Sequence, residues 1–164
     1  MRNQYQTDRL ILVDLDLEES KFIAELVNTP SWIQFIGERN VKTPSDANNY
    51  IQKIIDSPAI RYWVVKLKDN KVSIGIVTFI KKDYLDYFDI GFAFLPQYSK
   101  KGYAFEAVNT VLNDILMNTE HQKVLAATIK ENANSIKLLK KLGFELEKEI
   151  ANNELLLDVY AISK

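Results

Sequence analysis

Short apolar runs alternate with longer amphipathic segments along this chain of 164 residues. Seven segments are predicted to be β-strands, and most of them are rich in β-branched or aromatic residues, as β-strands typically are. These strands are predicted at residues 9–14, 61–67, 72–80, 87–95, 123–129, 144–150 and 155–162. The runs at 72–80 and 87–95 are apolar on both faces, so we expect a sheet that is covered on both sides.

Four segments carry apolar residues at helical spacing and are predicted to be α-helices. They cover residues 17–28, 44–56, 102–117 and 134–142. Gly143 directly follows the last of them, and a glycine is the preferred residue just beyond a helix end. We therefore expect the last helix to stop at Leu142.

The first two helices have start signals in the sequence. Asp16 is predicted to cap the first helix, with Glu19 in the capping-box position. Thr29-Pro30 is expected to end that helix. Thr43 is predicted to cap the second helix, with Pro44 in its first turn, where proline is favoured.

The order of the elements constrains the topology. It reads strand, two helices, three strands, helix, strand, helix and two strands. The three consecutive strands resemble an antiparallel meander, whereas the strands at 87–95 and 123–129 flank a helix, which favours a parallel pair. Backbone groups at the ends of such strands, beside a helix N-terminus, form a natural ligand cleft.

Composition and charge narrow the classes of function. The chain has 47% hydrophobic residues and a net charge of −1, so a globular protein is expected and a nucleic-acid partner is not. Because there is no cysteine and His121 is the single histidine, no metal site is expected. No run approaches the length of a membrane helix or a secretory signal, so we expect a cytoplasmic protein without a membrane partner.

Residues 90–107, IGFAFLPQYSKKGYAFEA, form the first candidate site. They predict a strand, a tight loop and a helix start, and the free N–H groups of a helix's first turn bind anions. Gly102 allows close approach of a ligand, and Lys100 and Lys101 add positive charge. A diphosphate fits such a loop; the alternative is a solvated loop with a glycine kink.

The second candidate segment is residues 124–144, VLAATIKENANSIKLLKKLGF. A predicted strand ends near Ile129, and Asn132 and Ser135 form a polar pair beside the next helix start. Ligand contact is one interpretation of this pair. The other is that Asn132 or Asn134 caps the helix.

Taken together, these segments resemble the RimJ/RimL-type ribosomal-protein-acetylating branch of the Gcn5-related N-acetyltransferase (GNAT) superfamily. Residues 7–12 (TDRLIL) are similar to its first strand and residues 32–50 to its two-helix region. Residues 99–104 (SKKGYA) are similar to its pyrophosphate loop. Asn132 and Ser135, followed by residues 141–144 (KLGF), match its last helix motif.

The resemblance implies a fold and an activity. The fold is α/β (α+β), with a mixed, mostly antiparallel sheet of about seven strands and helices on both faces, as one domain over residues 1–164. The activity is direct transfer of the acetyl group of acetyl-CoA to a primary amine, either a protein N-terminus or a small molecule. A monomer or a homodimer is compatible with it.

Residue roles also follow from the resemblance. The CoA-binding residues it implies are Phe92, Ala93 and Phe94 along the pantetheine arm, Ser99, Lys100, Lys101, Gly102, Tyr103 and Ala104 at the diphosphate, and Asn132. Two positions depart from the superfamily pattern. Ser99 replaces a glutamine or arginine, and Lys100 stands where this branch often has glycine, but backbone amides survive both changes.

The catalytic candidates are a proton donor and a base. Leu139 occupies the position of the superfamily's common tyrosine acid, so Ser135 is the candidate donor, with helix capping as its alternative role. Asp89 is the nearest carboxylate on the right strand and is the candidate base, and Glu38 is a second one. The departures at Ser99, Lys100 and Leu139 also leave open a non-catalytic CoA-binding module.

Overall fold

The computed structural model describes all residues, Met1–Lys164. Its strands are β1 (Gln4–Gln6), β2 (Leu10–Asp14), β3 (Ile60–Leu67), β4 (Ser73–Ile80), β5 (Asp89–Phe94), β6 (Lys123–Thr128), β7 (Glu145–Asn152) and β8 (Leu155–Ser163). Its helices are α1 (Ser20–Val27), α2 (Pro30–Phe35), α3 (Pro44–Asp56), α4 (Tyr103–Asn118) and α5 (Ala133–Lys141). Short 3-10 turns lie at Leu17–Glu19 and Pro96–Tyr98.

All eight strands form one sheet in the order β1-β2-β3-β4-β5-β6-β8-β7. Every neighbouring pair is antiparallel except β5 and β6, which are parallel. The predicted mostly antiparallel sheet with one parallel junction is therefore confirmed. The sheet has eight strands where about seven were predicted, because β1 has no apolar run; only Tyr5 in this strand is buried.

The sheet is covered on both faces, as predicted. One face packs against α4 and α5 around residues such as Trp63, Phe79 and Val108, all at most 1% exposed. The other face packs against α1 and α3 around residues such as Ile23 and Ile51, which are fully buried. Burying each such side chain contributes roughly 1.5–3 kcal/mol, so the two cores stabilise the sheet from both sides.

Two helix predictions need correction. Thr29-Pro30 was expected only to end the first helix, but it also starts the short helix α2. The Thr29 hydroxyl accepts a hydrogen bond from the N–H of Trp32, and Pro30 is the first residue of α2. Asp16 caps the 3-10 turn at Leu17–Glu19 that precedes α1, and Glu19 makes no capping box. The Glu19 carboxylate instead contacts the ammonium of Lys66 and the hydroxyl of Ser73.

The start of α3 confirms the sequence prediction. The Thr43 hydroxyl accepts from the N–H of Asp46 at 3.1 Å, and the Asp46 carboxylate accepts from the N–H of Thr43 at 2.9 Å. Pro44 occupies the first turn. This reciprocal pair satisfies two backbone donors that a helix start otherwise leaves free.

Candidate active site

The sheet opens between β5 and β6. These parallel strands pair at one position only, Asp89 with Leu125, where the N–H of Leu125 donates to the carbonyl of Phe88 at 2.9 Å. No further backbone pairing joins the two strands beyond this point. The rest of β5 therefore has one edge without a neighbouring strand.

Register decides which backbone groups of β5 face this opening. The N–H of Leu95 donates to Ile74 on β4 at 2.9 Å, and alternate residues of a strand bond to opposite sides. The backbone of Ala93 therefore faces β4, and the backbones of Phe92 and Phe94 face the opening. Of the three predicted pantetheine contacts, two have free main-chain groups at this edge.

Asp89 sits at the closed end of the opening and is only 3% exposed. One carboxylate oxygen accepts from the N–H of Ala127 at 2.7 Å, and the other lies 2.9 Å from the ammonium of Lys82. Burial raises the pKa of the Asp89 carboxyl, although Lys82 and the Ala127 N–H favour its charged form. Burial lowers the pKa of Lys82, but the Asp89 carboxylate and Tyr84 together outweigh it, so that pKa is raised.

The loop between β5 and α4 ends in a site suited to an anion. Gly102 caps α4 with φ 82°, and Lys100 also has a left-handed φ of 59°. The first helical bond of α4 runs from the N–H of Glu106 to the carbonyl of Gly102 at 3.1 Å. The N–H groups of the three residues between them are consequently free of helical bonds, and the positive end of the helix dipole lies there.

Arg9 clamps this loop from the edge of β2, and the sequence did not predict that role. Its guanidinium donates to the carbonyl of Lys101 at 2.9 Å and to the carboxylate of Glu106 at 2.7 Å. It also lies 4.4 Å from the centre of the Tyr103 ring. Burial raises the pKa of Glu106, but the bonds from Thr7 and Arg9 outweigh it and lower that pKa.

A polar cavity of about 580 Å³ adjoins the clamp. Thr7, Arg9 and Glu106 line one part of it, and Lys141 at the end of α5 lines another. The ammonium of Lys141 lies 4.3 Å from the centre of the Phe105 ring. The cavity thus extends from Gly102, at the start of α4, along that helix as far as Thr110.

Asn132 and Ser135 lie at the start of α5. The Asn132 side-chain oxygen accepts from the N–H of Ser135 at 3.3 Å, so Asn132 caps the helix, as one of the alternatives predicted, and Asn134 does not. The hydroxyl of the half-buried Ser135 makes no hydrogen bond to another protein group and is free to meet a ligand. Leu139 is 1% exposed and belongs to the core.

Glu38 lies on the surface, with 39% of its side chain exposed. Its carboxylate is 3.1 Å from the ammonium of Lys42 and accepts from the N–H of Asn40 at 2.9 Å. The bonds from Lys42 and Asn40 lower the pKa of Glu38. A carboxylate with a lowered pKa is a weaker proton acceptor, so the geometry gives Glu38 no support as a base.

No group of three or more histidine, cysteine, aspartate or glutamate side chains is placed to hold a metal ion. None of the helices has both the length and the apolar character needed to cross a membrane.

Comparison with known proteins identifies the family of this fold and loop. The family model of the acetyltransferase (GNAT) domain matches residues 9–145. This chain belongs to the GNAT acetyltransferase family. The match spans the clamp residue Arg9, the opening beside β5, the loop to α4 and the start of α5. GNAT membership also favours an enzyme over the non-catalytic module.

Individual relatives agree with the family. The chain is 28% identical over 141 residues to the uncharacterized N-acetyltransferase YnaD of Bacillus subtilis, covering 86% of this chain and 82% of the relative. A solved ribosomal-protein-S5-alanine acetyltransferase from Vibrio fischeri superposes with a TM-score of 0.82 at 19% identity, covering 98% and 96% of the two chains. Spermidine N-acetyltransferase from Vibrio cholerae, solved with CoA and spermine, gives 0.80 at 21% identity, covering 96% of each.

This GNAT chain is an acetyl-CoA-dependent acetyltransferase, and its residues fit that cosubstrate. The free amides at the start of α4 suit a diphosphate. Gly102 brings no side chain to this place, where a Cβ would lie 3.3 Å from the Arg9 guanidinium. The exposed edge at Phe92 and Phe94 suits an extended arm that bonds to main-chain groups as an added strand does. The groups that make this fit belong to the backbone, and the departures at Ser99 and Lys100 keep those groups.

Replacing Lys100 with glycine should stabilise this GNAT loop. A left-handed φ costs a residue with a Cβ about 1–2 kcal/mol, whereas glycine loses about 0.5–1 kcal/mol more backbone entropy on folding. Lys100→Gly should therefore raise the free energy of unfolding by about 0.5–1 kcal/mol. Urea unfolding measures this change.

Lys100→Ala is the matched control, because it removes the charge and keeps the backbone strain. It should be less stable than Lys100→Gly. A glycine variant that unfolds at a lower urea concentration than the alanine variant would contradict the assigned strain at this position.

Proposed function

We propose that this GNAT enzyme moves the acetyl group of acetyl-CoA directly to a primary amine, and that it belongs to the RimJ/RimL-type branch. The observation that carries the proposal is the opening between β5 and β6 beside the free N-terminus of α4. The opening offers main-chain bonds to an extended arm, and the helix start offers amides to an anion. The pantetheine arm and the diphosphate of CoA would therefore bind at two adjacent places, the edge of β5 and the start of α4.

Backbone amides from Lys100 to Ala104 would hold the diphosphate in this proposal. Main-chain groups of Phe92 and Phe94 would bind the pantetheine arm, and Asn132 would add an amide contact from the start of α5. The bound cosubstrate supplies an activated acetyl thioester. A backbone N–H near Phe94 would polarise the carbonyl oxygen of that thioester, as an oxyanion-hole donor does.

Ser135 is proposed as the proton donor to the departing thiolate. Its hydroxyl is free of protein partners, and it stands at the start of α5 beside the cap Asn132. A CoA thiol has a pKa close to that of cysteine, about 8.5, so the thiolate leaves readily and donation gives a modest gain. The incoming amine must lose a proton, and water at the opening can take it.

Ser135→Ala should lower kcat about tenfold, less than the usual effect of losing a general acid, because the thiolate is a good leaving group. The Kd for CoA should change less than about twofold, because the hydroxyl makes no bond that holds the loop. Steady-state kinetics and calorimetry measure the two quantities.

Asn132→Ala is the control for the helix cap. It should lower the free energy of unfolding by about 1 kcal/mol through the lost cap. An unchanged kcat for Ser135→Ala, or equal losses in kcat and CoA affinity, would show that Ser135 does not donate the proton.

The acceptor is proposed to be either a protein N-terminal amine or a small-molecule amine. The superposed Vibrio proteins bear names of each kind, a ribosomal-protein-alanine and a spermidine acetyltransferase, at 19% and 21% identity. A panel of N-terminal peptides, polyamines and amino sugars, assayed for release of free CoA, tests the proposal. Turnover of any panel member would support it, and no acetyl transfer to any of them would contradict it.

A further inference from the structure

The opening between β5 and β6 requires a physical reason, because a parallel ladder normally continues once it starts. The next rung after Leu125 would have the N–H of Ala127 donate to the carbonyl of Ile90. In the structure this N–H donates instead to the carboxylate of Asp89 at 2.7 Å. A side chain has replaced the main-chain acceptor at the point where the strands part.

The geometry points to Asp89 as a positioning residue that, held by Lys82, sets the opening into which the pantetheine arm is proposed to bind. This inference rests on the proposed function, since it gives the opening its ligand. By satisfying the Ala127 N–H, the carboxylate removes the main reason for β6 to approach β5 any closer. The free groups of Phe92 and Phe94 are thereby left for a ligand.

Lys82 fixes the carboxylate in place. The side chain of Lys82 is 27% exposed and that of Asp89 is 4% exposed. The Lys82 ammonium lies 2.9 Å from a carboxylate oxygen of Asp89. A buried charge is tolerated only when it is paired, so this pair couples the end of β4 to the start of β5. The turn is held further by the N–H of Lys81, which donates to Ala59 at 2.8 Å.

The same contacts favour positioning over the proton-accepting role predicted from the sequence. A general base must reach the proton that it removes, directly or through one water molecule. Asp89 is 3% exposed, and each of its oxygens already has a partner. An amine or a water molecule would have to enter a place where Asp89 is almost fully enclosed by protein.

Three substitutions separate the contribution of the bond to the Ala127 N–H from that of the ion pair with Lys82. Asp89→Asn keeps an oxygen acceptor for Ala127 and loses the ion pair, Lys82→Met keeps the carboxylate and loses the cation, and Asp89→Ala loses both. Asp86→Asn is the matched control, because this carboxylate lies in the same turn and is 79% exposed. Calorimetric titration with CoA gives Kd, and hydrogen exchange of the Ala127 amide in the free protein reports the local bond.

Asp89→Ala should raise the Kd for CoA on the order of tenfold and expose the Ala127 amide to faster exchange. Asp89→Asn should raise Kd less than about threefold and keep that amide protected, because its side-chain oxygen still accepts. Lys82→Met should fall between them, and Asp86→Asn should match the wild type. If Asp89→Ala does not fold, Asp89→Asn and Lys82→Met carry the test.

Two results would overturn the role of Asp89. One is wild-type CoA affinity in both Asp89→Ala and Lys82→Met. The other is a fall of at least about a hundredfold in kcat for Asp89→Asn with Kd unchanged, which is the effect of losing a base. Failure of the wild-type protein to bind CoA would instead overturn the proposed function itself, so the two failures are distinguishable.

Discussion

Gly102→Glu should raise the Kd for CoA at least about a hundredfold, the largest effect expected of any single change in this enzyme. Gly102 has φ 82°, which costs a residue with a side chain about 1–2 kcal/mol. A Cβ there would lie 3.3 Å from the Arg9 guanidinium that clamps the loop. The new carboxylate would also compete with the diphosphate for the amides of α4 and repel it.

Gly102→Ala separates the causes of this loss. It introduces the backbone strain and the close contact with Arg9 without a charge, so its Kd should lie between those of the wild type and Gly102→Glu. Calorimetry measures both variants, with thermal unfolding as a check that each one folds. Wild-type affinity in Gly102→Glu would show that the diphosphate does not bind at this loop.

Gly75→Val should distort the opening between β5 and β6 by displacing Phe94. Gly75 pairs directly with Phe94 across β4 and β5, and a Cβ at Gly75 would lie 2.4–2.6 Å from three atoms of the Phe94 ring. The ring must move, so we expect a loss of about 1–3 kcal/mol in the free energy of unfolding. Because Phe94 borders the opening, CoA affinity should also fall about tenfold, since the site works only when its parts are held in place.

The double variant Gly75→Val/Phe94→Ala is the decisive control. Removing the ring makes room for the valine, so the double variant should be more stable than the sum of the two single changes predicts. Urea unfolding of all four proteins completes the cycle. Simple additivity would show that the valine is accommodated without displacing Phe94.

The sequence was most informative where the structure depends on residues that are close together along the chain. The cap at Thr43 with Pro44 and the helix end before Gly143 are local patterns, and both were predicted correctly. The strand Gln4–Gln6 was not predicted, because it has no local pattern. It contains one apolar residue and forms because it pairs with β2. Thr29-Pro30 is an ambiguous local signal, since the same pair can follow one helix and start another.

The site was predictable only in part. Gly102 and the helix start behind it form a local anion motif, so the loop could be found from sequence. The clamp joins Arg9 to Glu106, and Asp89 reaches the amide of Ala127, so both contacts link residues far apart along the chain. Only the register of β4 and β5 shows that Phe92 and Phe94, and not Ala93, face the opening.

The most direct test of the account is a titration of the protein with acetyl-CoA, followed by calorimetry and by the NMR shifts of assigned backbone amides. Saturable binding at one site is expected, with the largest shifts at the amides from Lys100 to Ala104 and at Phe92 and Phe94. Absence of binding, or binding with shifts confined to other parts of the sheet, would contradict the assignment of the opening beside β5 as the cosubstrate site.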